Sequence, residues 1–429
     1  MEQPNATGDG AAALTPLFWA LLAATGVATG LFGALMMLVL HSAQHLAFAY
    51  HSGDFQSAVE RVSPLRRVVV LALAGAFAGV AWFLLRRWTS GEKAEIHGTL
   101  WDGQSDLSFR RSFASSLFSE VVVGLGASLG REAAPQLMGA VSGSLLGRWA
   151  RLSPAQRRLL LACGAGAGLA AVYNVPLGGA LITAELLYGR VELPVVLPAL
   201  ACACIATAVS WLSLPAQVTY IDIPAYPFAA PQLVWALLAG PLLGLVAVGW
   251  IRLIGGVSAH RPSGRLLLVA PLGAFVVLGL AGVRYPQLLG NGKDMAHDVF
   301  LGHGSVVLLL TLFALKPLVT ALCLGSGATG GLFTPTMSTG AMLGGALGSA
   351  WSLLWPGAAL GSYALIGAAA MIGAAMQAPL AGLVLVFELT HTTFGLAVPM
   401  IAATALATAV VRYLDGYSLY SARLPARET

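Results

Sequence analysis

Gly130-Arg131-Glu132-Ala133-Ala134-Pro135 and, two hundred residues on, Gly330-Gly331-Leu332-Phe333-Thr334-Pro335 share a glycine-to-proline spacing inside apolar surroundings. The first stretch holds a carboxylate between Val121-Val122-Val123-Gly124-Leu125-Gly126 and a small, apolar run from Met138 to Leu146. An ionised Glu in hydrocarbon costs roughly 2.5 kcal/mol or more on insertion scales, so such a residue normally faces a pore, a cavity or a partner. Proline favours the start of a helix, and a helix start attracts negative charge. Glu132 therefore stands where an anion would bind, and the pattern suggests a carboxylate that competes with a transported anion.

The chain around these stretches is a membrane protein. It is 57% hydrophobic and 10% charged, against about 25% charged in a typical soluble domain. Apolar runs recur at 17–41, 68–85, 159–187, 191–213, 230–250, 267–282, 304–325, 341–373 and 378–411. Some exceed the ~20 residues that one span needs and others fall short. Glycines and prolines interrupt many of them, as expected of broken or re-entrant helices buried in protein or facing an aqueous cavity. The first eleven residues are polar, and the first apolar run is too long for a signal sequence.

Charge and cysteine usage exclude several function classes. Basic residues outnumber acidic ones by five, but the arginine pairs Arg66-Arg67, Arg86-Arg87, Arg110-Arg111 and Arg157-Arg158 sit in linkers, where they mark headgroups and topology. No basic stripe offers itself to nucleic acid. Cys163, Cys202, Cys204 and Cys323 all lie in apolar segments and read as small core hydrophobes. His41, His45, His51 and His97 lack the spacing of a closed metal site. Lys316, inside an apolar run, is expected to pair with a carboxylate or to snorkel. Glu120 reads as a structural carboxylate or the lining of a wet path. No metal cluster or nucleophile with its base is present, so no enzymatic reading arises.

A second pair of segments points to duplication. Gly164-Ala165-Gly166-Ala167-Gly168 leads to Pro176, and Gly367-Ala368-Ala369-Ala370 leads to Pro379. Each proline reaches a glutamate nine residues later, Glu185 and Glu388. The offsets are 200 residues for the first pair of stretches and 203 for these prolines. Two matches in one order at nearly one offset indicate two repeat halves, 15–213 and 228–411, with a short C-terminal segment at 412–429. Transporter repeats of this kind, parallel or inverted, place a site near the midplane where helix N-termini point inward.

These residues resemble the CLC family of chloride channels and proton/chloride exchangers, in its bacterial type without appended regulatory domains. The Gly-Arg-Glu-Ala-Ala-Pro stretch at 130–135, the Gly331–Pro335 stretch, Tyr285-Pro286-Gln287-Leu288-Leu289-Gly290-Asn291-Gly292 and the terminal Leu419-Tyr420-Ser421 occur in the family's order. The resemblance runs from about residue 15 to Arg423. It implies an all-α polytopic membrane fold of two inverted-topology repeats with broken helices. It also implies a homodimer with one pore per subunit, set in lipid of the bacterial inner membrane. The implied partners are chloride, other small anions and, for an exchanger, protons, with no cofactor beyond bound chloride ions.

By the same resemblance Glu132 is the gating glutamate. Leu332 and Phe333 offer backbone amides to the anion, and Tyr420 its hydroxyl. Gly130, Arg131, Pro135, Gly331 and Pro335 support the two loops. Two departures matter. The family's anion-coordinating serine falls on Gly91, or on Ser90 if the register shifts by one. The family's internal proton-transfer glutamate falls on Leu186, which has no titratable group. Leu186 favours a voltage- or pH-gated chloride channel, with the proton-coupled chloride antiporter as the alternative. A cation-coupled secondary transporter is a remote third reading.

Overall fold

The structure is a computed structural model that describes residues 12–101 and 105–424; residues 425–429 of the C-terminal segment lie outside this range. Every regular element among the described residues is helical. In chain order the α-helices are α1 (Pro16–Phe48), α2 (Phe55–Arg61), α3 (Pro64–Trp88), α4 (Ile96–Trp101), α5 (Phe109–Gly124) and α6 (Ala133–Trp149). Then come α7 (Pro154–Tyr173), α8 (Pro176–Leu181), α9 (Leu193–Ser210), α10 (Ala230–Ala259), α11 (Ala270–Arg284) and α12 (Lys293–Phe300). The last are α13 (Val306–Gly325), α14 (Phe333–Leu354), α15 (Leu360–Met376), α16 (Pro379–Thr390) and α17 (Ala397–Leu414). Seven helical stretches, counted among the described residues, are long and apolar enough to cross a membrane.

The chain forms two compact units. Among the described residues, one comprises 12–39, 85–101, 105–120 and 132–219; the other comprises 40–84, 121–131 and 220–424. Within the first, α6 packs on α7 through facing glycines. A Cβ on Gly139 would lie 2.0 Å from the Gly164 carbonyl oxygen, and one on Gly143 would lie 2.5 Å from that of Leu160. Only glycine lets the two backbones meet so closely. The second unit repeats the device between α14 and α15. There, a Cβ on Gly340 would lie 2.5 Å from the Gly367 oxygen, and one on Gly344 2.5 Å from that of Tyr363.

The breaks repeat as well. The residue after α7, Asn174, has φ +57°, and Val175 N–H bonds back to Ala170 at 3.1 Å. The residue after α15, Gln377, has φ +55°, and Ala378 N–H bonds back to Gly373 at 3.0 Å. A left-handed residue followed by such a long-range carbonyl bond closes a helix, and a proline then opens the next one, Pro176 or Pro379. The apolar run 159–187 is thus not a single span. The run 341–373 is interrupted at Trp355-Pro356-Gly357, between α14 and α15. The two stretches differ after the break: α16 is a regular helix, whereas Ile182–Tyr188 is wound as a π-helix carrying Glu185 and Leu186. Such π segments often occur at functional positions.

Three sequence expectations change here. Lys316 neither snorkels nor meets a carboxylate. It is fully buried, and its Nζ donates to the Leu288 and Gly290 carbonyls at 3.1 and 2.7 Å. The irregular chain ahead of α12 leaves carbonyls that a helix would have used, and the ammonium takes them. Cys204 is exposed, not a core residue, since it lies two residues from buried Cys202 on the other side of α9. Pro135 and Pro335 occupy the third positions of α6 and α14, not the first. That place is equally tolerant, because the first turn has no intrahelical acceptor for its N–H groups.

Candidate functional site

In the first unit the centre is Glu132. It immediately precedes α6, is 1% exposed, and its carboxylate makes no capping bond to its own helix. The Tyr173 hydroxyl instead donates to Glu132 Oε2 at 3.1 Å. A hydrogen bond from a neutral hydroxyl to a buried carboxylate offsets part of its desolvation. Tyr173 ends α7 and is itself buried. The Thr219 hydroxyl donates to its carbonyl at 2.8 Å, and the Trp211 indole donates to Asn174 Oδ1 at 3.0 Å. The glycine contacts between α6 and α7 thus fix the helix start, while the left-handed turn at Asn174 fixes the phenol that meets Glu132. Glu120, on α5, is fully buried.

The same unit holds the two positions where the sequence departs from pattern. Ser90 and Gly91 lie in an exposed turn after α3, with Gly91 at φ +81°. Arg111 braces that turn, donating to the Thr89 and Glu92 carbonyls, each at 2.8 Å, and the Ser108 hydroxyl bonds the Glu92 carboxylate. Leu186 lies partly buried on the π segment, beside Glu185.

In the second unit the two loop stretches meet. Gly130 N–H donates to Gly331 O, and Gly331 N–H to Gly130 O, both at 2.7 Å. A Cβ on Gly330 would lie 2.6 Å from that of Leu129. Glycine at both positions therefore allows the antiparallel pairing of Gly130 with Gly331. Leu332 and Phe333 are buried at the start of α14. The Thr336 hydroxyl donates to Leu332 O at 2.6 Å and accepts from the Trp250 indole at 2.9 Å. Partial positive charge gathers at such a helix start. Tyr420 is partly buried, and its neighbour Leu419 is tied by its N–H to Ala375 O at 2.7 Å. Tyr417, three residues earlier, is 37% exposed. Arg131 is partly buried and lines a cavity of about 50 Å³ together with His41, Tyr50, Asn291 and Lys293.

The Tyr173 bond to Glu132 and the Gly130–Gly331 pairing escape sequence reading. The signal for the second lies in the paired glycines of the two stretches.

Comparison with known proteins gives the frame for these parts. Residues 74–412 match the family described as Voltage gated chloride channel. The chain belongs to the CLC family. It is 29% identical over 425 residues to the H(+)/Cl(-) exchange transporter ClcA of Vibrio campbellii, covering 95% of this chain and 89% of that protein. It is 32% identical over 433 residues to the Voltage-gated ClC-type chloride channel ClcB of Salmonella dublin, covering 94% and 98%. Among solved structures, a slow cyanobacterial Cl-/H+ antiporter superposes with a TM-score of 0.83 at 22% identity, covering 95% of this chain and 97% of that one. A CLC-type fluoride/proton antiporter superposes with a TM-score of 0.75 at 19% identity, with the same coverage. The fold is therefore the CLC fold, all-helical and polytopic, and the chain's activity is membrane anion transport.

Proposed function

We propose that the chain exchanges chloride for protons across the bacterial inner membrane, as a homodimer in lipid, with Glu132 as the protonatable gate. The observation that carries this reading is a buried carboxyl, held by the Tyr173 hydroxyl at 3.1 Å, at the start of α6. Ionised, it occupies the place of an anion; protonated, it leaves that place and carries a proton. One group that must change charge for an anion to pass links the two ions. The Vibrio relatives named H(+)/Cl(-) exchange transporters, at 28–29% identity over 95% of the chain, support this reading over the channel that the sequence favours.

Leu332 and Phe333 would receive the anion on backbone N–H groups at the start of α14. A phenol donates a hydrogen bond without bearing charge, which suits Tyr420 to the same anion. The exposed turn at Ser90 and Gly91 would supply at most one further hydroxyl, that of Ser90, and so a looser discrimination among small anions. Since Leu186 carries no proton, protons reach Glu132 through water or through Glu185 on the same π segment.

Passive chloride conduction is the second reading. Leu186 favours it, as does the likeness to a protein named a chloride channel. Reconstitution separates the two. Under a pH gradient with equal chloride on both sides, exchange gives a reversal potential displaced from zero, whereas conduction gives zero.

A further inference from the structure

Far from Glu132 in sequence, two carboxyl groups converge at the joint between α2 and α12. Asp54 caps α2, and Asp294 lies in the first turn of α12. The Gln56 N–H donates to both, to Asp54 Oδ1 at 2.9 Å and to Asp294 Oδ2 at 3.0 Å. That shared N–H sets the two carboxyls side by side, and two carboxyls can bond each other only when one of them keeps a proton to donate. Asp54 further accepts from the Ser57 N–H at 2.9 Å and from the Ser57 hydroxyl.

The surroundings assign the proton. Burial works to raise the Asp54 carboxyl, but the bond from Asp294 and those from Ser57 and Gln56 outweigh it and hold it below its ordinary range. Burial first, then the Asp54 bond, pushes Asp294 up to about 7 against the opposing charge of Lys293. The proton therefore rests on Asp294. The charged and titratable groups facing the pair are Lys293 beside Asp294, Tyr50 on the loop before α2, Arg131, and Asp298 on α12. Asp294, Tyr50, Arg131 and Lys293 line the cavity described above. Its volume is several times the ~10–15 Å³ that one water needs, and Asp54 is itself exposed, so the pair can exchange its proton with solvent.

We infer that Asp54 and Asp294 form a pH-sensitive clasp, which ties α2 to α12 while one proton is shared and releases them when it is lost. Deprotonation leaves two anions on a single N–H, where like charges repel. The wall of the cavity that carries Lys293 and Asp294 then loosens from the wall formed by Tyr50 and Gln56. The device depends neither on Glu132 nor on whether transport is exchange or conduction.

Hydrogen exchange of the full-length protein in detergent tests it. Corrected for intrinsic base catalysis, the amides of Gln56 and Ser57 should lose protection as pH rises through about 7. Asp294→Asn places a permanent N–H donor against Asp54, so protection should stay flat with pH. Asp54→Asn, a second variant should the first fail to fold, removes the shared proton and should abolish the same step. Infrared spectra should show one protonated carboxyl band disappearing across that step in the parent and absent from Asp294→Asn. A pH-independent parent, or a step retained in either folded variant, overturns the clasp.

Discussion

Replacing Gly139 by alanine tests the packing that sets the Glu132 helix start. The added Cβ would lie 2.0 Å from the Gly164 oxygen, 2.7 Å from its carbonyl carbon and 2.9 Å from Thr29 Cγ2. Ordinary contact begins at 3.4 Å, so α6 and α7 must part by roughly 1.4 Å along that line, and no side-chain rotation relieves a clash with backbone. Overpacking costs about 1–3 kcal/mol, and a backbone-on-backbone clash belongs at the upper end. Alanine regains up to about 1 kcal/mol of helix propensity. The expected net loss is about 2 kcal/mol, a change of roughly thirty-fold in the folded-to-unfolded ratio. Gly249 on α10 is the control, since a Cβ there meets nothing within 4 Å; Gly249→Ala should be neutral or stabilising by up to about 1 kcal/mol. Denaturant titration in mild detergent, followed by tryptophan fluorescence, measures both. A Gly139→Ala protein as stable as Gly249→Ala would refute the close α6–α7 contact.

Other consequences are as specific. Lys316→Met removes the donor to Leu288 and Gly290, and each carbonyl left unpaired costs about 1–3 kcal/mol; the same titration should show a marked loss, and an unchanged midpoint would reassign the buried lysine. Asp294 is raised from 3.8 to about 7 in the folded protein, so its contribution to stability is complete below about pH 4 and declines as pH climbs through about 7. Asp54, shifted down, acts with the opposite sign below its ordinary range. Melting temperature of the parent minus that of Asp294→Asn should therefore fall between about pH 4 and 7, where the folded protein holds a proton that the unfolded chain has released, and a flat difference would remove the linkage. Leu186→Glu supplies a titratable group at the empty relay position, and should raise the number of protons moved per chloride in flux assays; an unchanged ratio places that position off the proton route.

Local chemistry made much of this legible in advance. The loop stretches and the proline-opened helices at Pro176 and Pro379 follow from glycine and proline spacing, which acts over a few residues. The facing glycines of α6 with α7 and of α14 with α15 were visible only as small-residue composition, because which glycine meets which depends on helix packing. The Lys316 reading failed for a related reason: a lysine prefers a carboxylate by residue type, but the free carbonyls ahead of α12 arise from backbone geometry. The Tyr173 bond to Glu132 spans 41 residues, and the Asp294 bond to Gln56 spans 238. No periodicity encodes either. Asp54 precedes α2 and Asp294 opens α12, each in a polar stretch where a lone charge reads as solvated surface.

The most direct test of chloride/proton exchange is uphill proton movement. Proteoliposomes loaded with high chloride are diluted into low-chloride medium at equal pH, and external pH is followed as chloride leaves. The account predicts that chloride efflux drives protons into the vesicles, so the medium turns alkaline, and that Glu132→Gln keeps chloride flux but loses the proton signal. Chloride efflux from the parent protein with no pH change, once the membrane potential is clamped by valinomycin and potassium, would contradict it and leave a passive channel.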